Sequence, residues 1–144
     1  MAAIILAGAA LVLLAENIAR EAHAGQFRRD GITPYIIHPE AVAAGVTNPE
    51  EKAVAWLHDV LEDTPTTPQN LLDAGIPENV VTAVITMTKT AGVSYNDYLV
   101  GVKANPLARV VKISDMKANL ADTPTQKQID KYAYGLKFLG DTSP

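Results

Sequence analysis

The stretch Leu57-His58-Asp59-Val60-Leu61-Glu62-Asp63-Thr64 places one imidazole and three carboxylates inside an otherwise apolar helical pattern. On a continuous helix, residues i and i+4 share a face, so His58 is expected above Glu62 and Asp59 above Asp63. Carboxylates held this close repel one another unless a cation neutralises them, and a divalent metal is the simplest such cation. Two of the four groups can hold the ion while the other two stand one turn away, where a water or a substrate would lie. A purely structural helix gains nothing from this crowding, because desolvating charge at the end of a buried helix is costly.

Two further clusters carry chemistry. In Lys112-Ile113-Ser114-Asp115-Met116-Lys117-Ala118-Asn119, the residues Lys112, Asp115 and Asn119 fall on one helix face. A carboxylate there could complete a metal site, although the same spacing also suits a plain solvated face. The segment from Gln26 to Pro39 holds Arg28-Arg29 in a Gly- and Pro-punctuated loop. Planar, permanently charged guanidinium groups suit phosphate oxygens or a stacked purine, or ordinary surface salt bridges. His23, His38 and His58 are the three histidines of the chain, so any imidazole ligand comes from them.

Composition bounds the rest. The length of 144 residues predicts a single domain spanning 1–144, and the 48% apolar content is ample for its core. A formal charge of -4 gives no electrostatic case for binding nucleic acid or an anionic membrane. The absence of cysteine excludes disulfides, thiolate zinc sites and cysteine nucleophiles, and fits a reducing, cytoplasmic setting. The run Ala2 to Ala15 is almost wholly apolar, yet short for a bilayer span and without the basic flank of a signal peptide. It reads as the start of a long first helix, buried in the domain or in a homodimer.

The elements that must position these residues are helical. A first helix is expected from about Ala3 to Ala24, then a loop from Phe27 to Pro34 and a short helix from Pro39 to Gly45. Asn48-Pro49 starts a helix that carries Ala53, Val54, Trp56, Leu57 and Val60 inward and ends near Asp63. Thr67-Pro68 begins the next, ending at Gly75. Pro77 opens a helix through Val80, Val81, Val84, Ile85 and Met87, although its Val/Thr content would also suit a strand. Ser94 and Asn105 mark two more starts. A last amphipathic helix from Thr125 to Leu139 packs Ile129, Tyr132, Leu136 and Leu139. The sum is an all-α bundle of seven or eight helices.

Four stretches in register resemble the HD-domain metal-dependent phosphohydrolases, and more closely the alarmone hydrolase domain of RelA/SpoT-type proteins and their small stand-alone relatives. They are Ala22-His23-Ala24-Gly25-Gln26 with Arg28-Arg29; Thr33-Pro34-Tyr35-Ile36-Ile37-His38-Pro39; Leu57 to Thr64; and Val111-Lys112-Ile113-Ser114-Asp115 with Asn119. The resemblance implies an HD-domain helical bundle. It implies that His38, His58, Asp59 and Asp115 bind one divalent metal, usually manganese in the family, and a mixed N/O donor set is of the kind manganese or iron accepts. It implies that Glu62 and Asp63 position or activate the attacking water, and that Arg28, Arg29, Lys112 and Asn119 contact a nucleotide substrate. The activity implied is removal of the 3′-pyrophosphate from guanosine tetra- or pentaphosphate (ppGpp, pppGpp), the alarmones of the stringent response. The chain departs from the family pattern in two places: Ser114-Asp115-Met116 stands where Ala-Asp-Arg is common, and Asn119-Leu120-Ala121 where Asn-Met-Arg is common. Hydrolysis of another nucleotide or phosphomonoester is therefore the alternative, and a non-catalytic nucleotide- or metal-binding module is a second. His23 is expected to hold the loop by a hydrogen bond rather than to bind metal. Trp56 and most of the tyrosines are expected to pack, with one tyrosine free to reach the pocket rim.

Overall fold

The structure, a computed structural model, describes residues 2–140, with side chains from residue 8 onward. Among these residues the chain forms nine helices and no strand. They are α1 (Ala2–Ala22), α2 (Ile37–Ala44), α3 (Pro49–Leu57), α4 (Val60–Asp63), α5 (Pro68–Asp73), α6 (Glu78–Met87), α7 (Tyr95–Ala104), α8 (Pro106–Leu120) and α9 (Gln126–Phe138). Five helix starts carry the same device. The side chains of Asn48, Thr67, Ser94, Asn105 and Thr125 each accept a backbone N–H three residues on, satisfying a donor that the first turn leaves unpaired. A proline follows Asn48, Thr67 and Asn105, where a missing N–H costs nothing.

At the centre lies α3, whose residues Ala53 to Leu57 are all buried. A helix apolar on every side must be covered on every side. α1 covers it with Ala15 and Ala19, α6 with Val80, Ala83 and Val84, and α8 with Ala108 and Val111. α2 packs against both α3 and α8. The expected burial of the apolar run that opens α1 falls partly on residues 2–7, whose side chains lie outside the described residues. Farther on, Leu13 is exposed. Among the described residues no helix is long and apolar enough to cross a membrane.

Three expectations change. The helix from Asn48 does not run unbroken to Asp63. It stops at Leu57, turns through His58 and Asp59, and restarts as α4. The cause is local: the His58 imidazole takes the Ala55 carbonyl at 2.7 Å, the acceptor that a continuing helix would offer to the Asp59 N–H. Asp59 sits at φ -103, ψ -2, between the helical and extended regions. His58 therefore does not stack on Glu62 within one continuous helix, whereas Asp59 caps α4 and its carbonyl still accepts from the Asp63 N–H at 3.0 Å. Second, Ile85 on α6 faces solvent, although the segment is a helix in spite of its strand-like composition. Third, α9 is lightly held: Leu139 just beyond it is buried, but Ile129 is exposed and Gly135 is the one fully buried residue within it.

Candidate metal centre and active site

The loop after α1 delivers the first groups. Its two arms pair as a small hairpin, with the Arg28 N–H on the Thr33 carbonyl at 2.8 Å and the Tyr35 N–H on the Gln26 carbonyl at 2.9 Å. Gly31 closes the turn at φ +73, a left-handed conformation that suits glycine. Asp30 ties the turn from within by accepting from the Thr33 hydroxyl and from the N–H groups of Ile32 and Thr33. These bonds, the hydroxyl foremost, hold its carboxyl down at about 2. Tyr35 and then His38, at the start of α2, follow directly.

His38 from α2, His58 and Asp59 from the α3–α4 turn, and Asp115 from α8 meet in the interior. His38 Nε2 is 2.8 Å from Asp115 Oδ1 and 3.9 Å from Asp59 Oδ2. His58 Nε2 is 3.1 Å from Asp59 Oδ2 and 3.4 Å from Asp115 Oδ1. His38, His58 and Asp59 each offer a donor atom within 4.8 Å of the others. His58 tests whether a metal fits. A carbonyl only accepts, so the contact to Ala55 fixes the proton on His58 Nδ1. Nε2 is left buried without a hydrogen-bond partner, its lone pair facing two carboxylates. Such an arrangement requires a cation or a second proton between the groups. An imidazole anchored to a backbone carbonyl through its other nitrogen is the usual support of a metal ligand. The donor set could hold a divalent ion.

The charges of the cluster follow from the same contacts. Burial works against a charged His58, yet Asp59 and Asp115 push its pKa well above the ordinary value. Burial likewise works against the two carboxylates, but His58 and the Tyr35 hydroxyl hold Asp59 at about 2, and Lys112 and His58 hold Asp115 well below the carboxylate range. Glu62 and Asp63 behave oppositely. Partial burial and then the negative charge of Asp59 raise both, against the Lys89 backbone N–H at Glu62 and against His23 and Tyr35 at Asp63. The structure thus separates carboxylates kept ionised from a pair made more basic.

All of these groups line one pocket of about 270 Å³. Arg28 reaches it while bound to Asp122 at 2.9 Å. Asn119 reaches it and donates to Asp115 Oδ1 at 3.2 Å. Lys112 is there too, but commits one N–H to Asp115 Oδ2 at 2.9 Å. Arg29 lines an adjacent cavity with Asp30, Asp122 and Thr123 instead. His23 bonds Gln26 through Nδ1 at 2.8 Å and does not join the cluster. Sequence reasoning missed Lys89 and Lys131, and it left Tyr95, Tyr98 and Tyr132 mainly to packing; all five line the pocket. No motif marks them, since they come from separate helices and from the end of α6. The departures from the family pattern lie elsewhere. Ser114 is buried and donates to the Val42 carbonyl, Met116 is fully buried, and neither they nor Leu120 and Ala121 line the pocket.

A helical bundle holding a His-Asp donor cluster between its central helices defines the HD-domain class of metal-dependent phosphohydrolases. Comparison with known proteins narrows the class. No protein-family model matches the chain. It is 36% identical over 125 residues to a Xenopus tropicalis protein named guanosine-3′,5′-bis(diphosphate) 3′-pyrophosphohydrolase MESH1, covering 79% of this chain and 70% of that protein. It is 52% identical over 58 residues to the Haemophilus influenzae protein named guanosine-3′,5′-bis(diphosphate) 3′-pyrophosphohydrolase, but spans 8% of that longer relative. A solved structure described as a metazoan ortholog of SpoT that hydrolyses ppGpp and plays a role in starvation responses superposes with a TM-score of 0.72 at 25% identity, covering 90% of this chain and 83% of that one. The chain belongs to the guanosine-3′,5′-bis(diphosphate) 3′-pyrophosphohydrolase family.

Proposed function

We propose that the chain removes the 3′-pyrophosphate from guanosine tetra- or pentaphosphate, giving pyrophosphate with GDP or GTP. The observation that supports this most directly is the lone-pair face of buried His58 Nε2 turned to Asp59 and Asp115, in a pocket that also holds Glu62, Asp63 and several cations. In this reading His38, His58, Asp59 and Asp115 hold one divalent metal, manganese as the resemblance implies, and the mixed N/O set is of a kind that manganese or iron accepts. When bound, the ion lowers the pKa of a water and offsets charge on the phosphoryl oxygen. Glu62 and Asp63 orient that water and accept its proton, and their raised pKa values make them better bases than free carboxylates. Arg28 and Asn119 meet phosphate or sugar oxygens in the pocket. Lys112 holds Asp115 and directs its remaining N–H groups to the substrate, and Arg29 meets whatever projects into the neighbouring cavity.

Purified protein with manganese and the tetraphosphate is expected to yield GDP and pyrophosphate. Glu62→Gln and Asp63→Asn are expected to retain metal and to lose about 10²- to 10⁴-fold in kcat, the usual worth of a positioned acid or base. Cleavage of other nucleotides but not of the tetraphosphate would move the assignment to another substrate. A metal-loaded wild type that hydrolyses no nucleotide would make the chain a binding module.

A further inference from the structure

We propose that Tyr35 and Gln26 are positioning residues that clamp the short helix α4 at its two ends, Tyr35 setting the Asp59 carboxylate and Gln26 setting the backbone of Asp63. The proposal rests on the metal-site reading above and adds two residues to which that reading gives no role.

The break creates the need. The Asp63 N–H still reaches the Asp59 carbonyl at 3.0 Å, so Asp59 and Asp63 keep one helical bond, but the Ala55 carbonyl that would tie this turn to α3 is taken by His58. Here two turn residues separate α3 from the four-residue α4, and a helix that short has little rigidity of its own. The hairpin after α1 supplies what is missing. The Tyr35 hydroxyl donates to Asp59 Oδ2, the oxygen that lies 3.1 Å from His58 Nε2. A carboxylate oxygen has two lone-pair directions, so a donor on one leaves the other for the metal. A phenol ordinarily titrates at about pH 10, so at neutral pH it keeps its proton and is a donor. The ring cannot swing away: it packs on the His23 ring at 4.9 Å and under the Arg28 guanidinium at 5.7 Å. Gln26 acts one step along the loop. Its Nε2 donates to the Asp63 carbonyl at 2.9 Å, and its Oε1 accepts from His23 Nδ1 at 2.8 Å. The His23 contact orients the amide so that its NH₂ group faces α4. Tyr35 and Gln26 are themselves joined by the bond from the Tyr35 N–H to the Gln26 carbonyl.

The two arms of the clamp give separable results. Tyr35→Phe removes one oxygen and keeps the ring packing. Metal titration by calorimetry is expected to show manganese affinity about 10- to 100-fold weaker, the usual cost of losing a partner of a metal ligand, with an unchanged melting temperature for the metal-free protein. Gln26→Met keeps the volume and removes both hydrogen bonds. It is expected to bind manganese as wild type does and, at saturating metal, to lower kcat with KM unchanged. Manganese affinity of Tyr35→Phe within about fivefold of wild type overturns the Tyr35 arm. A wild-type kcat for Gln26→Met, or a fall in its metal affinity equal to that of Tyr35→Phe, overturns the Gln26 arm. A wild type that binds no manganese would instead remove the metal-site reading itself, which the same titration reports separately.

Discussion

Gly45 lies so close to Ser114 that a Cβ on Gly45 would stand 2.3 Å from the Ser114 hydroxyl oxygen. That hydroxyl donates to the Val42 carbonyl at 2.8 Å and is buried between α2 and α8. α2 carries His38 and α8 carries Asp115, so the contact sets the spacing of the two helices that bring these groups within 2.8 Å of each other. Gly45 itself has an ordinary negative φ, and its role is to leave room.

Gly45→Ala is therefore expected to destabilise the protein by about 1–3 kcal/mol, the cost of evicting a buried hydroxyl from its acceptor. Adding Ser114→Ala removes the clash and should restore much of the loss. Urea denaturation of the two variants measures both. A neutral single variant would mean that α2 and α8 shift apart without cost.

Lys131 projects from α9 into the pocket, with its ammonium 4.7 Å from the Tyr95 ring centroid. Burial and then Lys112, Lys89 and Lys127 lower its pKa. Cations gathered at one pocket suit a shared polyanion. Lys131→Met is expected to raise KM for the tetraphosphate about 10- to 100-fold through loss of a charged hydrogen bond worth about 1.5–3 kcal/mol. kcat should change little, because Lys131 is absent from the His-Asp cluster. Steady-state kinetics decide the matter, and an unchanged KM removes Lys131 from the substrate contacts.

The hairpin should resist acid. The folded pKa of Asp30 is depressed from the model-compound value of 3.8 to about 2. A depressed acid contributes order that is fully present above its unfolded pKa and is lost as pH falls through the folded one. The Ile32 and Thr33 amide resonances should thus hold their shifts from neutrality to about pH 3 and move only near pH 2. Movement centred near pH 4 would show that the turn does not engage the carboxylate.

Much of the helical layout can be read from local chemistry. Asn48, Thr67, Ser94, Asn105 and Thr125 are caps by residue type, and each accepts the N–H that its position predicts. The break at His58-Asp59 was not legible. Val54, Leu57, Val60 and Leu61 continue the helical spacing across it, and the competing acceptor, the Ala55 carbonyl, belongs to the backbone. The convergence of His38, His58, Asp59 and Asp115 could be anticipated from motifs at their separate positions. Lys89, Lys131 and Tyr95 could not, since they share the pocket only through the packing of α6, α7 and α9 around α8. Ile129 misled because an apolar residue at helical spacing need not face a partner when the helix rests along one seam.

That seam also bears on the pocket wall. Met116 fills a position where the family pattern commonly has arginine, and it fits because Gly135 opposite has no Cβ, which would lie 2.7 Å from the Met116 methyl. Small size on α9 accommodates bulk on α8. A side chain at residue 135 would press on Met116 and on the Tyr95 hydroxyl, so the same close approach that seats Met116 also holds α9 where Lys131 and Tyr132 line the pocket.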